Sequence, residues 1–385
     1  MLNTTPTFPF RSVTESAPLL PRDWNPRAAA DGVLQGLVNV TAARIKGTHD
    51  AELAIVGQKA YIVAEVNEER AGHGTPSEYV AMSIVDIETL KLEAFIPFAR
   101  AGQAFENETL PAGITFVPRI IPKDSGTLRC FFASHPLNAQ AQTWIIDFDI
   151  SSRTFSSRIF KAKLKTRQGI CDMQPQHFHA DAAHFGFKKP SVQNGLYLFD
   201  SFKTFDNKLY IAINNFPGGQ NALATVNDAL DTFEIVGHYN EPQTLRITES
   251  AVNRLPDGTW LAICRQDGGT NNYLFTTSHD GREWTPCEPR TFVQTGLNAK
   301  PTFDRFNGIY YLGWQDNAQI NNTGRTVFNV DVSRDGQTWL RKYRFESAAG
   351  FTYPTFREYQ GSIYLTVTQG RNSGERIMFG KLEGL

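Results

Sequence analysis

A histidine beside a carboxylate, His49-Asp50, opens a strand-like run, and a second histidine, His73, follows soon after that run's return strand. Histidine titrates near neutrality and can act as acid or base. Arginine gives a planar two-point contact to a carboxylate, and Arg119, Arg246 and Arg265 stand where such a contact could be made. His135, at the end of Cys-Phe-Phe-Ala-Ser-His, is a third catalytic candidate. Lys300 and Arg357 occupy similar places later in the chain as lesser candidates, and Glu249 could simply pair with one of the arginines. Together these types suit acid–base chemistry on a substrate that carries a carboxylate. Each residue also has a plainer reading: His49 as a turn residue bonding Asp50, His73 as a loop residue, His135 and the arginines as structural groups.

A second cluster joins Cys171 to His177, His179 and His184. On a strand His177 and His179 would share a face, a spacing that permits joint metal binding. No Cys-x-x-Cys supports it, so a structural zinc or calcium is the only metal role assigned here, and the chemistry requires no cofactor. The four cysteines, Cys130, Cys171, Cys264 and Cys287, show no framework spacing. Cys130 and Cys264 read as buried thiols.

These residues must be held by strands. From about residue 45 one pattern recurs: an apolar strand, a tight turn with Gly or Asn, then an aliphatic-aromatic strand. It appears at 51–66, 115–134, 196–215, 249–266, 300–315 and 353–369. Alternating strands repeating at about 50 residues indicate a β-propeller, whose inner-strand entries converge on one axis. Two turns are the same motif: Ser278-His279-Asp280-Gly281-Arg282-Glu283-Trp284 and Ser333-Arg334-Asp335-Gly336-Gln337-Thr338-Trp339. Ser and Asp side chains bond the turn backbone, Gly supplies positive φ and Trp covers the strand behind. Residues 31–46 read as strand and could supply the last blade's outer strand, closing the ring. The long stretch 165–248 has room for a further blade. The expectation is therefore an all-β chain, with an N-terminal extension at 1–30 and a single propeller at 31–385, built of four-stranded antiparallel blades.

The Ser-x-Asp-Gly-x-x-Trp turns resemble the Asp-box of sialidase-type propellers, one residue shorter between Asp and Gly. A sialidase would place an Arg-Ile-Pro element near residue 49, its arginine clamping a sialic acid carboxylate. Here His49-Asp50 stands there, and the nearest match, Pro118-Arg119-Ile120-Ile121-Pro122, comes a blade late with an extra Ile. His49-Asp50, His73 and the ending Thr352-Tyr353-Pro354-Thr355-Phe356 are similar instead to the ulvan lyases and the rhamnose–glucuronate lyases and rhamnosidases. That resemblance implies β-elimination from a uronate, in which a cation neutralises the carboxylate, a base removes the C5 proton and an acid protonates the leaving O4. It also implies seven blades, a histidine pair matching His49 and His73, and a tyrosine and arginine from the next blade. The chain departs at the last point: Phe116-Val117-Pro118-Arg119 has no tyrosine, and His135 falls where the arginine would be.

Composition narrows the partners. With 41% hydrophobic residues, 28 Phe and net charge −1 in 385 residues, the chain can bury a large core and offers no bulk charge for nucleic acid or membrane surface. Met1 to Arg22 lacks a basic stretch followed by an apolar one, so no signal peptide is expected, leaving a cytoplasmic protein or a secreted one with its signal removed. The expected partner is a uronate-containing glycan met by a monomer. Three functions are open: a lyase of rhamnose–glucuronate linkages, an α-L-rhamnosidase in which His49 leads, and a non-catalytic binding propeller.

Overall fold

The computed structural model describes residues 18–371 and 374–382; residues 1–17 of the expected extension lie outside the described residues. The chain folds into a β-propeller whose sheets are numbered here as blades in chain order. Blade one comprises 47–56, 59–67, 79–86 and 92–100. Blade two comprises 113–122, 127–136 and 142–149, edged by 154–155 and 160–161. Blade three is built on 195–197, 208–216, 220–226 and 232–238. Blade four has three strands, 247–254, 260–266 and 274–278. Blade five comprises 302–306, 309–315, 327–333 and 340–346, and blade six 352–359, 362–371 and 374–382. Each of the six recurring hairpins forms the inner pair of one blade.

The expected seven uniform blades are therefore corrected. The described residues form six sheets, and the stretch 165–248 hides no seventh. Its surplus length thickens blade three instead. The strands 163–166 and 169–172 form a hairpin whose first strand runs parallel to 232–238, so this sheet is not purely antiparallel. A helix follows, in a stretch with no β-branched residue to extend the sheet: Pro175–Ala182 is α-helical, with Pro at its first position. Phe178 anchors it in the blade-three core beside Leu164, Met173 and Leu196.

The N-terminal segment also differs from expectation. Residues 26–36 are a helix, not part of a strand. Asn25 caps it, its side-chain oxygen accepting from the Arg27 and Ala28 amides at 3.0 and 3.1 Å. Ala30, Val33 and Leu37 pack on the Phe345, Phe351 and Leu382 side chains of blades five and six. Only Val38–Asn39 is strand, and it pairs with 374–382 as the outer edge of blade six. The ring is thus closed by the chain's beginning and end, with the inner strands of blades one and six in contact.

Both Asp-box turns lie after third strands. Ser278 Oγ accepts from the Gly281 amide at 2.8 Å, and Asp280 from the Arg282 and Glu283 amides at 2.8 and 3.1 Å. The second turn repeats this with Ser333, Gly336, Asp335, Gln337 and Thr338. Each glycine faces the preceding blade: a Cβ on Gly336 would stand 2.2 Å from Leu255 Cδ2, and one on Gly281 2.9 Å from Leu223 Cδ2. The turns lock blade to blade.

Candidate active site

In three blades the inner strand enters through a bulge at a non-glycine residue in the left-handed region: Asp50 (φ 47°), Val117 (φ 50°) and Tyr353 (φ 49°). Such bulges re-aim side chains and concentrate at functional sites. Here they turn successive side chains toward the axis. Blade five enters through Lys300-Pro301, and Lys300 Nζ donates to Asp50 Oδ1 at 2.9 Å while lying 5.0 Å from the Tyr353 ring centre. Asp50, Lys300 and Tyr353, from three blades, thus meet at one point.

Beneath them lies Arg119, with no exposed surface. Its guanidinium donates to both Asp50 oxygens at 2.9 and 3.1 Å and to the Phe199 and Asp200 carbonyls at 2.8 and 3.1 Å. Burial pushes the Asp50 carboxyl up, but Arg119 and Lys300 together hold it below the usual range. Arg119, read from the sequence as a carboxylate clamp, is thus fully buried and fully partnered, and it fixes the floor of the site.

Above the floor, Tyr353 Oη donates to Glu249 Oε1, a very short contact. Arg265 donates to the other Glu249 oxygen at 2.9 Å, to Tyr353 Oη at 3.3 Å and to Asp267 at 2.8 Å. Burial first and the Glu249 charge second push the Tyr353 phenol well above its ordinary range. Arg265 reaches the axial site as expected, yet two carboxylates already occupy it. Arg246, the exposed left-handed residue at the entry to blade four, has no hydrogen bond or ion pair from its guanidinium among the described residues. Arg325 holds the Asn298 carbonyl at 3.0 Å and no carboxylate, and its charge acts on His49, His73 and Tyr353 alike. Of the arginines whose charge acts on the axial residues, Arg325 has no carboxylate partner among the described residues, whereas Arg265 has two.

His49 and His73 do come together. Their rings stack with centroids 4.0 Å apart and planes 7° from parallel, and His49 also lies 4.4 Å from the Tyr353 ring. The sequence holds the two segments in place through one carboxylate, Glu375, which accepts from the amides of Thr48 at 3.0 Å and Gly72 at 3.1 Å. Gly47 permits the approach: a Cβ there would fall 2.5 Å from the Arg70 carbonyl oxygen. Asp50, which was to orient the His49 ring, is turned away to Arg119 and Lys300. His49 is buried, and burial, then the His73, Arg325, Lys300 and Arg265 charges, lower its pKa well below the ordinary value. His73 keeps solvent on one side and is lowered for the same leading reason.

His135 stands off from this group. Its ring contacts the Val192 carbonyl at 2.8 Å and Tyr197 Oη at 3.3 Å, and with Phe116, Tyr197, Phe199 and Phe216 it continues an aromatic wall leading to Tyr353. The cluster at 171–184 does not form a metal site. His177 and His179 lie on a helix, where a spacing of two turns them to different sides; His179 contacts the Phe187 carbonyl and His184 packs at a tilt against the Phe185 ring. The zinc or calcium role assigned to these three histidines falls with the strand on which it rested. A groove of about 930 Å³ on the outer side, lined by Lys165, Lys208, His238 and Trp284 among others, contains none of the axial residues.

The fold is a β-propeller, and the solved structures it is similar to include sialidases. Among solved structures the chain is similar to a protein of unknown function from Dyadobacter fermentans, with TM-score 0.64 and 11% identity over 91% of this chain and 98% of that one. It is also similar to Trypanosoma rangeli sialidase in complex with sialic acid (TM-score 0.59, 11% identity, 91% of this chain and 57% of that) and to the Hadza microbial sialidase Hz136 (0.60, 14%, 90% and 68%). No family model matches the chain, and no curated protein matches its sequence. At such identities the likeness is one of fold, and it bears on the sialidase-type propeller, not on the rhamnose–glucuronate resemblance.

Sequence reasoning missed Tyr353, Arg325 and Glu65, and gave Lys300 and Glu249 only secondary parts. A signal for two of them was present. Val117-Pro118 and Tyr353-Pro354 stand at the bulges of their inner strands and Lys300-Pro301 just before another, so in these three blades the residue before the proline marks the entry to the axis.

Proposed function

We propose that the protein is a carbohydrate-active enzyme that hydrolyses a glycosidic bond of a carboxylate-bearing sugar, with Tyr353 as nucleophile. The observation supporting this reading is the buried Tyr353–Glu249–Arg265 unit at the axis. A buried phenol cannot ionise alone, because a phenolate there would be poorly solvated. Glu249 receives the phenol proton as Oη bonds to the anomeric carbon and the glycosidic C–O bond breaks, the leaving oxygen taking a proton from solvent. Water then attacks the anomeric carbon, losing a proton to solvent, and the departing Tyr353 Oη takes its own proton back from Glu249, which Arg265 holds in place. Tyrosine is the nucleophile in sialidases among glycoside hydrolases. A neutral nucleophile suits a sugar carrying its own carboxylate, which would repel a carboxylate nucleophile. Arg325 and Arg246 would take the substrate carboxylate, and the aromatic wall from Tyr353 to Phe116 would take an apolar sugar face.

A second reading, elimination at a rhamnose–glucuronate linkage, is favoured by the stacked His49–His73 pair, which could move both protons. One experiment separates the readings. The protein is incubated with aryl sialosides, aryl glucuronides and rhamnose–glucuronate glycans, and both aglycone or sugar release and the ultraviolet absorbance of unsaturated uronate are followed. Release without the new absorbance supports hydrolysis, and the absorbance establishes elimination. Neither, across the panel, overturns both in favour of a binding propeller.

A further inference from the structure

His49, Glu65 and His73 make an arrangement that neither tyrosine-based hydrolysis nor the core explains. One donor atom from each lies within 4.8 Å of the other two. Among the described residues no ring nitrogen of His49 or His73 has a hydrogen-bond partner, and although most of His49 is covered its ring nitrogens are not sealed from solvent. Two imidazoles from different segments are thus brought face to face with their nitrogens open to a ligand. Glu65, also buried, accepts from the Val117 amide at 2.8 Å and shares a hydrogen bond with Glu78. Glu78 in turn accepts from the Gly74 and Thr75 amides at 2.6 and 3.2 Å, so it supports the loop that carries His73. Carboxylates thus hold both segments from behind while the imidazoles stay unengaged.

We infer that His49, Glu65 and His73 form a divalent-metal site at the axial opening, suited to zinc, with its fourth position open. Two imidazoles and one carboxylate are a zinc donor set of the kind that leaves a position for water or substrate, and calcium or magnesium would ask for more oxygens. Tetrahedral zinc places its donors about 3.3 Å apart, given bonds of about 2.0–2.1 Å, so the present spacing must close on binding. His73 is the residue that can move: it stands between Gly72 (φ 88°) and Gly74 (φ 82°) on an open loop. The surrounding charge allows a dication, because Arg119, Lys300 and Arg265 are each already held by Asp50, Glu249 or Asp267. Arg325 is the charge that opposes it.

The site shares the axial location of the proposed function but is read without activity. It also competes with the second reading, since elimination would need the same nitrogens for protons. The full chain is stripped with chelator and titrated with zinc by calorimetry, and with cobalt(II) by visible absorption. One equivalent bound, with the intense visible bands of four- or five-coordinate cobalt, is expected. His73→Ala and Glu65→Gln should each weaken binding at least tenfold, and the outer-helix control His177→Ala should leave it unchanged. If His49→Ala fails to fold, His73→Ala on its open loop still decides. Absence of zinc binding at micromolar concentration, or binding indifferent to His73→Ala, overturns the site. Zinc binding that depends on His73 in a protein inactive on every glycan would keep the site and sink the hydrolytic reading.

Discussion

At the scale of single residues, Tyr353 and Arg119 show how position decides role. Both are buried at the axis, yet Tyr353 shares its proton with Glu249 beneath the rim, whereas Arg119 is spent on Asp50 and two carbonyls. Tyr353→Phe keeps the ring packing and removes only Oη. It should lower turnover at least about 10²-fold, the low end for losing a group that acts at the reacting bond, while the circular-dichroism spectrum and melting temperature stay near wild type. A Phe variant with full activity would remove Tyr353 from the chemistry. Arg119→Met should act oppositely. It leaves Asp50 buried with Lys300 as its remaining ionic partner, and breaking a buried pair in this way costs roughly 3–5 kcal/mol. Denaturant unfolding measures this, and a variant as stable as wild type that loses only substrate affinity would restore Arg119 as a clamp. The sequence marked Arg119 as axial, passed over Tyr353, and could not say which arginine faces outward. That depends on which carboxylate from another blade reaches it first, and Asp50 lies far away in the chain.

At the scale of elements, the turns and inner hairpins were legible because their cause is local. Ser, Asp, Gly and Trp at fixed spacing close the same hydrogen bonds in both Asp-boxes, and Trp284 and Trp339 each donate to the glycine carbonyl of their own box, at 2.9 and 3.1 Å. The segments that misled are those where a helix and a strand compete. Residues 26–36 and 175–182 carry apolar residues at spacings that fit either, and the helix is decided by Asn25 capping, by Pro26 and Pro175 at first positions, and by the core each helix finds. Because the boxes join blades and lie away from the axis, Trp284→Ala should cost roughly 3–5 kcal/mol, as for deleting a buried large aromatic. Activity per folded molecule should be unchanged. Thermal melting together with turnover corrected for active fraction tests this, and lost activity at an unchanged melting temperature would tie the box to catalysis.

At the scale of the whole molecule, the blade number could not be read from the repeat. The period that identifies a propeller does not distinguish another blade from a hairpin and helix added to an existing one, and 165–248 is the latter. Closing six sheets around one axis also forces charge inward: Asp50, Glu52, Arg119, Lys203, Asp304 and Lys300 are all buried among the inner strands. Most are paired, but Asp304 is poorly served. Lys203 approaches one oxygen at 3.7 Å and the other has no partner among the described residues. Burial therefore raises its pKa from 3.8 to about 6, against the pull of Lys203, and burial likewise pushes Glu241 well up. A carboxyl raised in the fold binds its proton more tightly there than in the unfolded chain. Its contribution to stability is full below the unfolded value and is lost as pH rises through the folded one. For Asp304 that window runs from 3.8 to about 6 and is worth about 3 kcal/mol. Asp149, held at about 2 first by the Ser152 amide, and Asp50, held low by Arg119 and Lys300 against its burial, act in the opposite sense below that window. His49, His73 and His238, each lowered from 6.5 first by desolvation, also act against Asp304: their contribution is present above that value and is lost as pH falls below it. The Asp304 part is therefore isolated with Asp304→Asn, which keeps the shape but removes the titrating group. The stability of the wild type relative to this variant, read from denaturant midpoints, should fall as pH rises from about 4 to about 8. A difference that stays constant or grows over that range would show that Asp304 does not contribute to the molecule's response to pH.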